Sequence, residues 1–503
     1  MLDLTDIGRY WARIRPDGIG LTFEGRSFTW AELDRASDEL AAGLAELGVR
    51  PGDRVGLLMH NRPEWCDVTM AALKLGAIVV PVNVRFTASE LAYVVADADC
   101  RLVVSESAFT DVLSGVADRR VLLADELDQH RRTGERPTIP DERGGISPAF
   151  ICYTSGTTGD PKGAVLTHAS WNAGSQGWAQ AMALGPDTNT LLPFPLAFTG
   201  GLAVWLFTYW AGGRVVLERA FEPTRALELI EAERITGLFA VPAIYQALVA
   251  HPRWGDTDLS SWRVASSGGA AVPEALIRAV QARGVPMAQG FSLTEASAAG
   301  TVLPPRDALG KLGSAGLAVL HGTISVVDPD GPDDTPLPPG EVGEILVGGP
   351  QIMAGYWNRP DASAEALRGG HLHTGDLGHL DQDGYLYVVD RMKDMLISGG
   401  LNVYPAEIER ALGALPGATE LTVIGVPDER WGETPAVIAV GDATTVTGDA
   451  VLAALGDDLA DFKRPRYVIV RDEPLPRGMS GKVLKRELVE TYRDLATTET
   501  PIR

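Results

Sequence analysis

The sequence predicts an α/β fold in which a large domain is followed by a small α+β domain. Short apolar runs at Arg54–His60, Ala77–Val82 and Arg101–Ser105 indicate strands, and helical segments such as Pro63–Leu75 separate them. Apolar strands that alternate with helices are typical of buried, largely parallel sheets. From about Thr323 the pattern changes to shorter strands with tight turns, which indicates a different architecture near the end of the chain.

The remaining elements of the large domain follow the same alternation. Thr29 and Glu32 form a capping box, in which each side chain satisfies a free N–H group at a helix start. Leu202–Ala211 is apolar but too short to cross a bilayer, so we expect a buried helix. Further helices are expected at Glu90–Ala96, Thr224–Arg234 and Pro242–Ala250, and further strands at Arg214–Leu217, Gly237–Val241 and Trp262–Ala265.

A domain boundary is predicted near residues 391–394, which divides the chain into domains of residues 1–391 and 392–503. Strands at Ile324–Val327, Val342–Gly348 and Tyr385–Asp390 would end the first domain. The second would contain strands Met395–Ser398, Glu420–Val426, Ala436–Val440 and Tyr467–Arg471 and helices Ala406–Leu415, Ala450–Ala460 and Lys482–Thr491.

Length and charge exclude several classes of protein. A chain of 503 residues is too long for one ordinary core. The net charge of −22 makes nucleic acid an unlikely partner, because it repels phosphate backbones. Cys66, Cys100 and Cys152 match no metal or disulfide spacing, which favours a reducing cytoplasm. The first residues lack the pattern of a signal peptide.

One segment has the composition of a phosphate-binding loop. Tyr153-Thr-Ser-Gly-Thr-Thr-Gly-Asp-Pro-Lys-Gly163 follows a strand and offers many hydroxyls and accessible backbone N–H groups. It is not a Walker A loop, because no Lys-Ser/Thr pair follows the last glycine. The alternative for this segment alone is a flexible polar turn.

The same loop resembles the signature of the acyl-CoA synthetase, peptide-synthetase adenylation and luciferase superfamily of adenylate-forming enzymes. Six further segments resemble that superfamily in the same order, so that the resemblance covers essentially the whole chain. They are Gly290–Glu295, Ile352–Pro360, His373–Asp376, Asp390–Asp394, Ser398–Glu407 and Gly478–Lys482. The acyl-CoA ligases of long-chain and medium-chain acids are the most similar members.

The resemblance implies the remaining features of the fold and the reaction. The large domain would hold mainly parallel sheets and a distorted β-barrel, and the small domain would be mobile. ATP and a carboxylate would form an acyl-adenylate and pyrophosphate with Mg²⁺, and the acyl group would pass to coenzyme A. Charge develops on the α-phosphate in such a reaction, so cationic stabilisation should dominate catalysis.

Most of the nucleotide-binding residues are implied by the motifs. The β- and γ-phosphates would contact Thr154, Ser155, Gly156, Thr157, Thr158, Gly159 and Lys162. Thr294 would contact the α-phosphate and Glu295 would bind Mg²⁺, whereas Gly290, Phe291 and Ser292 would line the nucleotide site. Asp376 would accept the ribose hydroxyls, supported by Arg391.

Two lysines of the small domain receive the mechanistic roles. Lys482 would bridge the substrate carboxylate and the α-phosphate, because a compact ammonium can screen two anions that repel each other. Lys393 corresponds to the hinge about which the small domain rotates after adenylation. Without the motifs, both would be interpreted as solvated surface lysines.

Coenzyme A is predicted as the acceptor from a further set of similarities. Gly399 and Gly400 resemble residues that let pantetheine pass close to the backbone, and Trp431 resembles a tunnel lining. Phe462, Lys463 and Arg464 resemble a segment that contacts the nucleotide end of coenzyme A.

The chain departs from the family at the acyl pocket, which the resemblance locates at Phe198, Gly268, Gly269 and Ala270. Phe198 stands where the family usually has a His, and an apolar ring cannot donate a hydrogen bond to the substrate. Phe291 replaces the usual Tyr. We expect a more apolar or reshaped pocket, with adenylation retained.

Two alternatives to an acyl-CoA ligase remain open at this point. The acyl group could pass to a carrier protein or another nucleophile, or the chain could bind nucleotides without catalysis. In each case we expect small-molecule partners, no nucleic acid, no integral membrane association and a cytoplasmic protein, and we keep a homodimer as a hypothesis.

Overall fold

Two seven-stranded sheets form most of the larger of two units in the computed structural model of this chain. The structure describes residues 3–116, 118–137, 145–154, 161–269, 272–331, 333–413, 415–456, 459–477 and 482–502. The large unit comprises Met1–Ser325, Leu346–His373 and Asp381–Tyr387. The small unit comprises Val326–Ile345, Thr374–Leu380 and Val388–Arg503.

The strands and helices alternate through the large unit and become shorter after it. The strands are β1 (Ile19–Phe23), β2 (Arg26–Thr29), β3 (Arg54–Leu58), β4 (Ile78–Pro81), β5 (Cys100–Ser105), β6 (Arg120–Leu123), β7 (Pro148–Thr154), β8 (Lys162–Thr167), β9 (Asn189–Leu192), β10 (Arg214–Leu217), β11 (Gly237–Ala240), β12 (Val264–Gly268), β13 (Met287–Gly290), β14 (Thr301–Val302), β15 (Leu317–Ala318), β16 (Thr323–Val327), β17 (Gly343–Gly348), β18 (Gly355–Tyr356), β19 (Leu372–Leu380), β20 (Leu386–Arg391), β21 (Leu396–Ser398), β22 (Leu401–Val403), β23 (Ala418–Asp428), β24 (Gly432–Gly441) and β25 (Tyr467–Arg471). The helices are α1 (Leu4–Ile14), α2 (Trp30–Glu46), α3 (Pro63–Lys74), α4 (Ala88–Asp97), α5 (Thr110–Leu113), α6 (Leu127–His130), α7 (His168–Ala181), α8 (Thr199–Trp210), α9 (Pro223–Ala232), α10 (Pro242–Ala250), α11 (Glu274–Ala282), α12 (Pro360–Ala366), α13 (Pro405–Leu412), α14 (Gly448–Leu455), α15 (Lys485–Thr491) and α16 (Leu495–Thr498).

The first sheet has the strand order β13-β12-β11-β9-β10-β1-β2. All its neighbouring pairs are parallel except β1 and β2, which form an antiparallel pair at the edge. After β9, the chain forms β10 on one side of β9 and then β11 on the other side of β9. Ligands of open α/β sheets bind at such a reversal, outside the carboxyl ends of the strands. The ends of β9 and β11 are therefore the expected place for a pocket.

The second sheet has the strand order β18-β8-β7-β4-β3-β5-β6. Its central strands are parallel, whereas β8 pairs antiparallel with β7 and β18 pairs antiparallel with β8. The segment that connects β7 with β8 is the predicted phosphate-binding loop. The predicted loop thus follows the carboxyl end of β7. Both strands are buried in their interior and half-buried beside the loop, at Tyr153, Thr154 and Lys162.

One apolar core joins both sheets of the large unit. Helices α1, α2, α3, α7 and α8 bury side chains against residues of β1, β9 and β10 and also against residues of β3, β4, β7 and β8. A second core lies between the first sheet and helices α9, α10 and α11. Strands covered on both faces must be apolar at successive positions, which is why the sequence shows continuous apolar runs there.

The small unit contains a five-stranded sheet with the order β22-β21-β24-β23, in which β25 pairs with β24. Strand residues alternate between two cores, as the period of a β-strand requires. Val423 and Val437 pack with α13 and α14, whereas Ile424 and Ile438 pack with α15 and α16. Helices on both faces of a mainly antiparallel sheet are an α+β arrangement.

The predicted α/β class with mainly parallel sheets in the large unit is confirmed, whereas the distorted barrel stays a prediction. Several predicted element bounds need correction. The last long helix was expected from Lys482 but begins at Lys485, and β12 covers Val264–Gly268 instead of Trp262–Ala265. Helix α14 covers Gly448–Leu455 instead of Ala450–Ala460, and α13 ends at Leu412 instead of Leu415. Within the described ranges, no helix has the length and apolar character needed to cross a membrane.

Candidate active site

Thr154 and Lys162 flank the predicted phosphate-binding loop as opposite residues of an antiparallel pair. Their Cα atoms are register partners at the ends of β7 and β8, and the Thr154 hydroxyl donates to the Lys162 carbonyl at 3.4 Å. The pairing holds both loop ends together and brings the Lys162 side chain to the loop. The other predicted loop residues, Ser155, Gly156, Thr157, Thr158 and Gly159, lie outside the described residues.

Thr294 and Glu295 lie on a short 3₁₀ helix, Thr294–Ala296, that follows β13. The two residues that follow this helix, Ser297 and Ala298, both have the left-handed backbone conformation that favours glycine, with φ of 48° and 57°. Buried hydrogen bonds hold this turn: the Ser297 hydroxyl donates to that of Ser170 at 3.0 Å, and the Ala298 carbonyl accepts from a Trp ring. Strain of this kind persists only where the surroundings enforce it, and it often marks functional sites.

Glu295 is the point at which three segments of the large unit meet. The Tyr356 hydroxyl donates to Oε1 of Glu295 at 2.9 Å, and the Thr154 hydroxyl approaches the same oxygen at 3.4 Å. The Lys162 ammonium lies 5.4 Å from the centre of the Tyr356 ring, within the range of a cation–π contact. Burial, followed by the nearby Glu295 carboxylate, raises the pKa of Tyr356, so its hydroxyl stays a donor.

Tyr356 had no role among the sequence predictions, although it lies inside the motif Ile352–Pro360. The structure explains its position. The backbone N–H of Met353 donates to the Glu295 carbonyl at 2.8 Å, and β18 then pairs with β8 so that Tyr356 lies opposite Ala164. No single-sequence signal distinguishes this tyrosine from a packing residue, because its partners are distant in the chain.

Thr199 is a second residue that the sequence predictions missed. Its hydroxyl lies 2.9 Å from that of Thr294, so one hydroxyl donates to the other. Burial raises the pKa of the Cys152 thiol to about 12, and a hydrogen bond with Thr199 opposes that rise. Thr199 therefore connects a neutral thiol on β7 with the predicted α-phosphate residue. Its place directly after Phe198 is the signal that could have drawn attention to it.

An aromatic wall lies beside the ends of β11, β12 and β13; it consists of Phe194, Phe239 and Trp178. The Phe239 ring lies 5.4 Å from that of Trp178 and 6.3 Å from that of Phe194, measured between ring centres. A Cβ atom on Gly268 would lie 3.2 Å from the Phe239 ring, and one on Gly290 would lie 3.4 Å from the Trp178 ring. These two glycines thus permit the strands to approach the aromatic rings closely.

The other predicted residues of the acyl and adenine side lie in the same unit. Phe198 is half-buried directly before α8, and Gly269 follows β12 with a φ of 80°. Phe291 is half-buried and its backbone N–H donates to the Thr301 hydroxyl at 3.2 Å, whereas Ser292 is half-buried. Ala270 lies outside the described residues.

The predicted ribose residues are paired in the small unit. The Arg391 guanidinium lies 3.3 Å from the Asp376 carboxylate, and Asp376 is almost buried. Lys393 is exposed on a 3₁₀ helix, Met392–Asp394, that follows β20. Burial raises the pKa of Asp390, whose two oxygens accept from the backbone N–H groups of Arg391 and Ala406.

The structure brings together some of the predicted residues for coenzyme A. Gly399 and Gly400 form the tight turn between β21 and β22, with φ of 59° and 82°. The Gly399 N–H donates to the Trp431 carbonyl at 2.7 Å, and a Cβ atom on Gly399 would lie 2.8 Å from the Trp431 ring. The turn therefore depends on glycine at position 399, where the indole packs against the backbone.

The basic residues of this set have internal partners. The Lys463 ammonium contacts both oxygens of Glu407 at 2.7 and 2.8 Å and lies 5.8 Å from the centre of the Phe462 ring. Arg464 donates to the carbonyl groups of Gly456 and Leu459. Lys482 is exposed and precedes α15, and the preceding residues of its motif, 478–481, lie outside the described residues.

The residues around Glu295 fit an Mg²⁺–nucleotide. Hard divalent cations prefer carboxylate and hydroxyl oxygens, and Mg²⁺ usually takes one or two carboxylates together with phosphate oxygens. Oε1 of Glu295 accepts both hydrogen bonds described above, whereas Oε2 accepts none from the residues that the structure describes. Lys162 supplies a positive charge near the same carboxylate. The large unit thus offers one carboxylate oxygen to a cation and one ammonium to a phosphate.

Comparisons with known proteins identify the family to which the chain is similar. A family model described as "AMP-binding enzyme" matches residues 9–357, and one described as "AMP-binding enzyme C-terminal domain" matches residues 407–482. The chain is 41% identical to a feruloyl-CoA synthase of Amycolatopsis sp, over 95% of this chain and 96% of that protein. It is 38% identical to the long-chain-fatty-acid–CoA ligase FadD13 of Mycobacterium tuberculosis, over 92% and 93%.

A solved structure of the O-succinylbenzoate coenzyme A synthetase MenE of Bacillus subtilis, in complex with ATP and magnesium ion, has a similar fold. Its TM-score is 0.89 at 31% identity, and the match covers 96% of this chain and 98% of that one. The resemblance that the motifs indicated is thereby confirmed.

Proposed function

The chain belongs to the AMP-binding enzyme family, and on that premise we propose which of its residues perform each step and which class of acid it activates. It is an adenylate-forming acyl-CoA ligase. A carboxylate attacks the α-phosphate of ATP, which yields acyl-AMP and pyrophosphate, and the thiol of coenzyme A then takes the acyl group and releases AMP. Glu295 would hold Mg²⁺, which when bound would supply neutralisation of the phosphate charge.

Two contacts of Tyr356 carry the assignment of the adenylation site: its hydroxyl meets the Glu295 carboxylate, which the Thr154 hydroxyl also approaches, and its ring meets the Lys162 ammonium. A partly buried carboxylate and an ammonium that contact the same tyrosine can bind a metal–triphosphate, because opposite charges are met in a site of low dielectric. Glu295 would bind the cation, and Thr154 and Lys162 would bind the β- and γ-phosphates, together with the loop between them.

Thr294 and Lys482 would act at the reacting phosphate. Thr294 would donate to an α-phosphate oxygen, and Lys482 would stabilise the charge that develops between that phosphate and the attacking carboxylate. The ion pair of Asp376 and Arg391 would position the ribose, since an acceptor beside a guanidinium is oriented before the nucleotide binds.

The second half-reaction would use residues of the small unit after rotation about Lys393. The Trp431 ring packs against Gly399, whereas no atom lies within 4 Å of the place where a side chain of residue 400 would begin, as a pantetheine path requires. Phe462, Lys463 and Arg464 would contact the nucleotide end of coenzyme A. The pairing of Lys463 with Glu407 means that a phosphate would compete with this carboxylate.

The acid is proposed to be an apolar monocarboxylic acid, with an aryl group preferred over an alkyl chain. Phe194, Phe239 and Trp178 form an apolar wall of edge-to-face and tilted rings next to Gly290, and Phe198 adds no hydrogen-bonding group. Aromatic rings favour offset or edge-to-face contact with another ring. The similar enzymes named for feruloyl and long-chain acyl groups act on apolar acids of these two kinds.

Two assays with one acid panel test these proposals. Cinnamic, hydroxycinnamic, arylacetic and succinylbenzoic acids and fatty acids of increasing length are compared in ATP–pyrophosphate exchange and in coenzyme A-dependent AMP release. We expect exchange with aryl acids and thioester formation with the same acids. Exchange with none of the acids would overturn the adenylation sites, and a clear preference for the fatty acids would overturn the aryl assignment.

The homodimer and the cytoplasmic location stay predictions from the sequence. Light scattering of the purified chain at micromolar concentration would test the dimer.

A further inference from the structure

Tyr356 contacts both charged groups of the proposed metal–triphosphate site without being assigned to either of them. Its hydroxyl donates to Oε1 of Glu295 at 2.9 Å, and its ring lies beneath the Lys162 ammonium at 5.4 Å. A hydrogen bond to a carboxylate is stronger and more directional than one between neutral groups. One side chain thus restrains an anion and a cation that must bind the same ligand.

The backbone around Tyr356 gives this side chain a fixed position. Tyr356 is opposite Ala164 in the pair of β18 and β8, and the Trp357 N–H donates to the Gly163 carbonyl at 2.7 Å. Met353 donates to the Glu295 carbonyl at 2.8 Å. The segment Met353–Trp357 is therefore attached at one end to the strand that carries Lys162 and at the other end to the Glu295 backbone.

We propose that Tyr356 is a positioning residue of the adenylation site: its hydroxyl holds Oε1 of Glu295 and so reserves Oε2 for the divalent cation, while its ring holds the Lys162 ammonium. This inference rests on the proposed function, because it assumes that Glu295 binds the metal and Lys162 a phosphate. It adds the claim that metal affinity depends on the Tyr356 hydroxyl and phosphate affinity on the Tyr356 ring.

Two substitutions separate the two contacts. Tyr356→Phe removes the hydroxyl but keeps the ring beneath Lys162, whereas Tyr356→Leu removes both. Tyr10→Phe, on the exposed face of α1, is the matched control because it also removes one hydroxyl from the large unit. Partners that orient a metal ligand typically contribute ten- to hundred-fold to metal affinity.

The experiment measures equilibrium binding, without turnover, to the full chain. Mn²⁺ replaces Mg²⁺ and is followed by electron paramagnetic resonance in the presence of saturating α,β-methylene-ATP. Binding of the analogue alone is measured by calorimetry in EDTA. For Tyr356→Phe we expect Mn²⁺ affinity to fall about ten-fold with metal-free analogue affinity unchanged. For Tyr356→Leu we expect both affinities to fall, and for Tyr10→Phe neither.

The outcomes separate this inference from the proposed function. If the unmodified chain does not bind the analogue, the proposed site is wrong. If it binds both ligands and Tyr356→Phe binds Mn²⁺ as tightly as the unmodified chain, the positioning role is wrong. A uniform loss of both affinities in Tyr356→Phe, with a lower melting temperature, would also overturn it, because a merely structural role has that effect.

Discussion

Glu295 illustrates how a single carboxylate acquires a role from its neighbours. Two hydroxyl groups from other segments lie near one of its oxygens, and a lysine is held nearby by the same tyrosine. An isolated Glu on a short 3₁₀ helix would be an ordinary surface group. The role that we propose for Glu295 depends on contacts with a threonine and a tyrosine, which carry no charge themselves.

Lys482→Ala should lower ATP–pyrophosphate exchange by about a hundred- to a thousand-fold, because removal of a group that stabilises transition-state charge has effects of that size. Thioester formation from a supplied acyl-adenylate and coenzyme A should change little. Lys482→Arg, which keeps the charge with another geometry, is the control. Exchange at the unmodified rate in the alanine variant would remove Lys482 from the mechanism.

Thr199→Val should lower the exchange rate about five-fold, since it removes one neutral hydrogen bond to the Thr294 hydroxyl. Thr199→Ser restores the hydroxyl and should restore the rate. A valine variant that exchanges as fast as the serine variant would show that Thr294 needs no orientation by Thr199. Melting curves of both variants control for packing.

Glu218 lies outside the proposed site and makes stability depend on pH. Burial raises the pKa of Glu218 to about 7 from an ordinary value of 4.5. The folded chain keeps a proton here that the unfolded chain releases, so stability falls as pH rises from about 4.5 to about 7. The side chain introduced by Glu218→Gln has no charge at any of these pH values. Above pH about 7, the free energy of unfolding of this variant should therefore exceed that of the unmodified chain by about 3 kcal/mol. Urea denaturation of both proteins at low and at high pH measures this difference in the free energy of unfolding. The same difference at both pH values would contradict the prediction.

Helix α4 is the element that holds the phosphate-binding loop in place from outside. The Tyr93 hydroxyl donates to the Pro161 carbonyl at 3.0 Å, at the end of the loop, and Asp97 accepts from the Tyr153 hydroxyl at 2.7 Å, near its start. Arg359 donates to the same Asp97 at 2.7 Å. Both ends of the loop therefore depend on one helix that contributes no predicted ligand.

Tyr93→Phe should raise the KM for ATP about three-fold with little change in kcat, because it releases one hydrogen bond beside the loop and no catalytic group. Initial rates at varied ATP measure the change. Tyr10→Phe again serves as the matched control. A fall in kcat at constant KM would indicate that α4 affects the chemical step instead of phosphate binding.

Element predictions succeeded where a periodic apolar pattern was long and bounded. β10, α10 and β25 have the predicted bounds, and the capping box at Thr29 begins α2. The start of α15 was misplaced because Lys482 precedes a segment without apolar periodicity. The hairpin of β1 and β2 was not predicted. Strand β1 also pairs with β10, which is distant in the sequence, and a local pattern does not show that pairing.

At the scale of the whole molecule, the division into two units agrees with a reaction of two steps. The large unit carries Thr154, Lys162, Thr294 and Glu295, whereas the small unit carries Asp376, Arg391, Lys482 and the residues predicted to contact coenzyme A. A hinge at Lys393 stays a prediction. It requires that backbone torsions at this position change between adenylation and thioester formation.

Lys393→Pro should slow coenzyme A-dependent AMP release by about ten-fold or more while pyrophosphate exchange changes less than about two-fold, because proline restricts φ near one value. Both rates are measured with the same acid. Lys393→Ala removes the charge but not the torsional freedom and is the control. Equal loss of both rates in the proline variant would place the hinge elsewhere.

The order of the motifs along the chain was sufficient to identify the reaction, because residues of the family's chemical types, such as Asp376, Arg391 and Lys482, stand in the family's order. Thr199 and Tyr356 became visible only in the folded chain. Thr199 lies 95 residues from Thr294, and Tyr356 lies 61 residues from Glu295. Contacts between such distant side chains are set by how helices and strands pack, and no local pattern in the sequence encodes that packing.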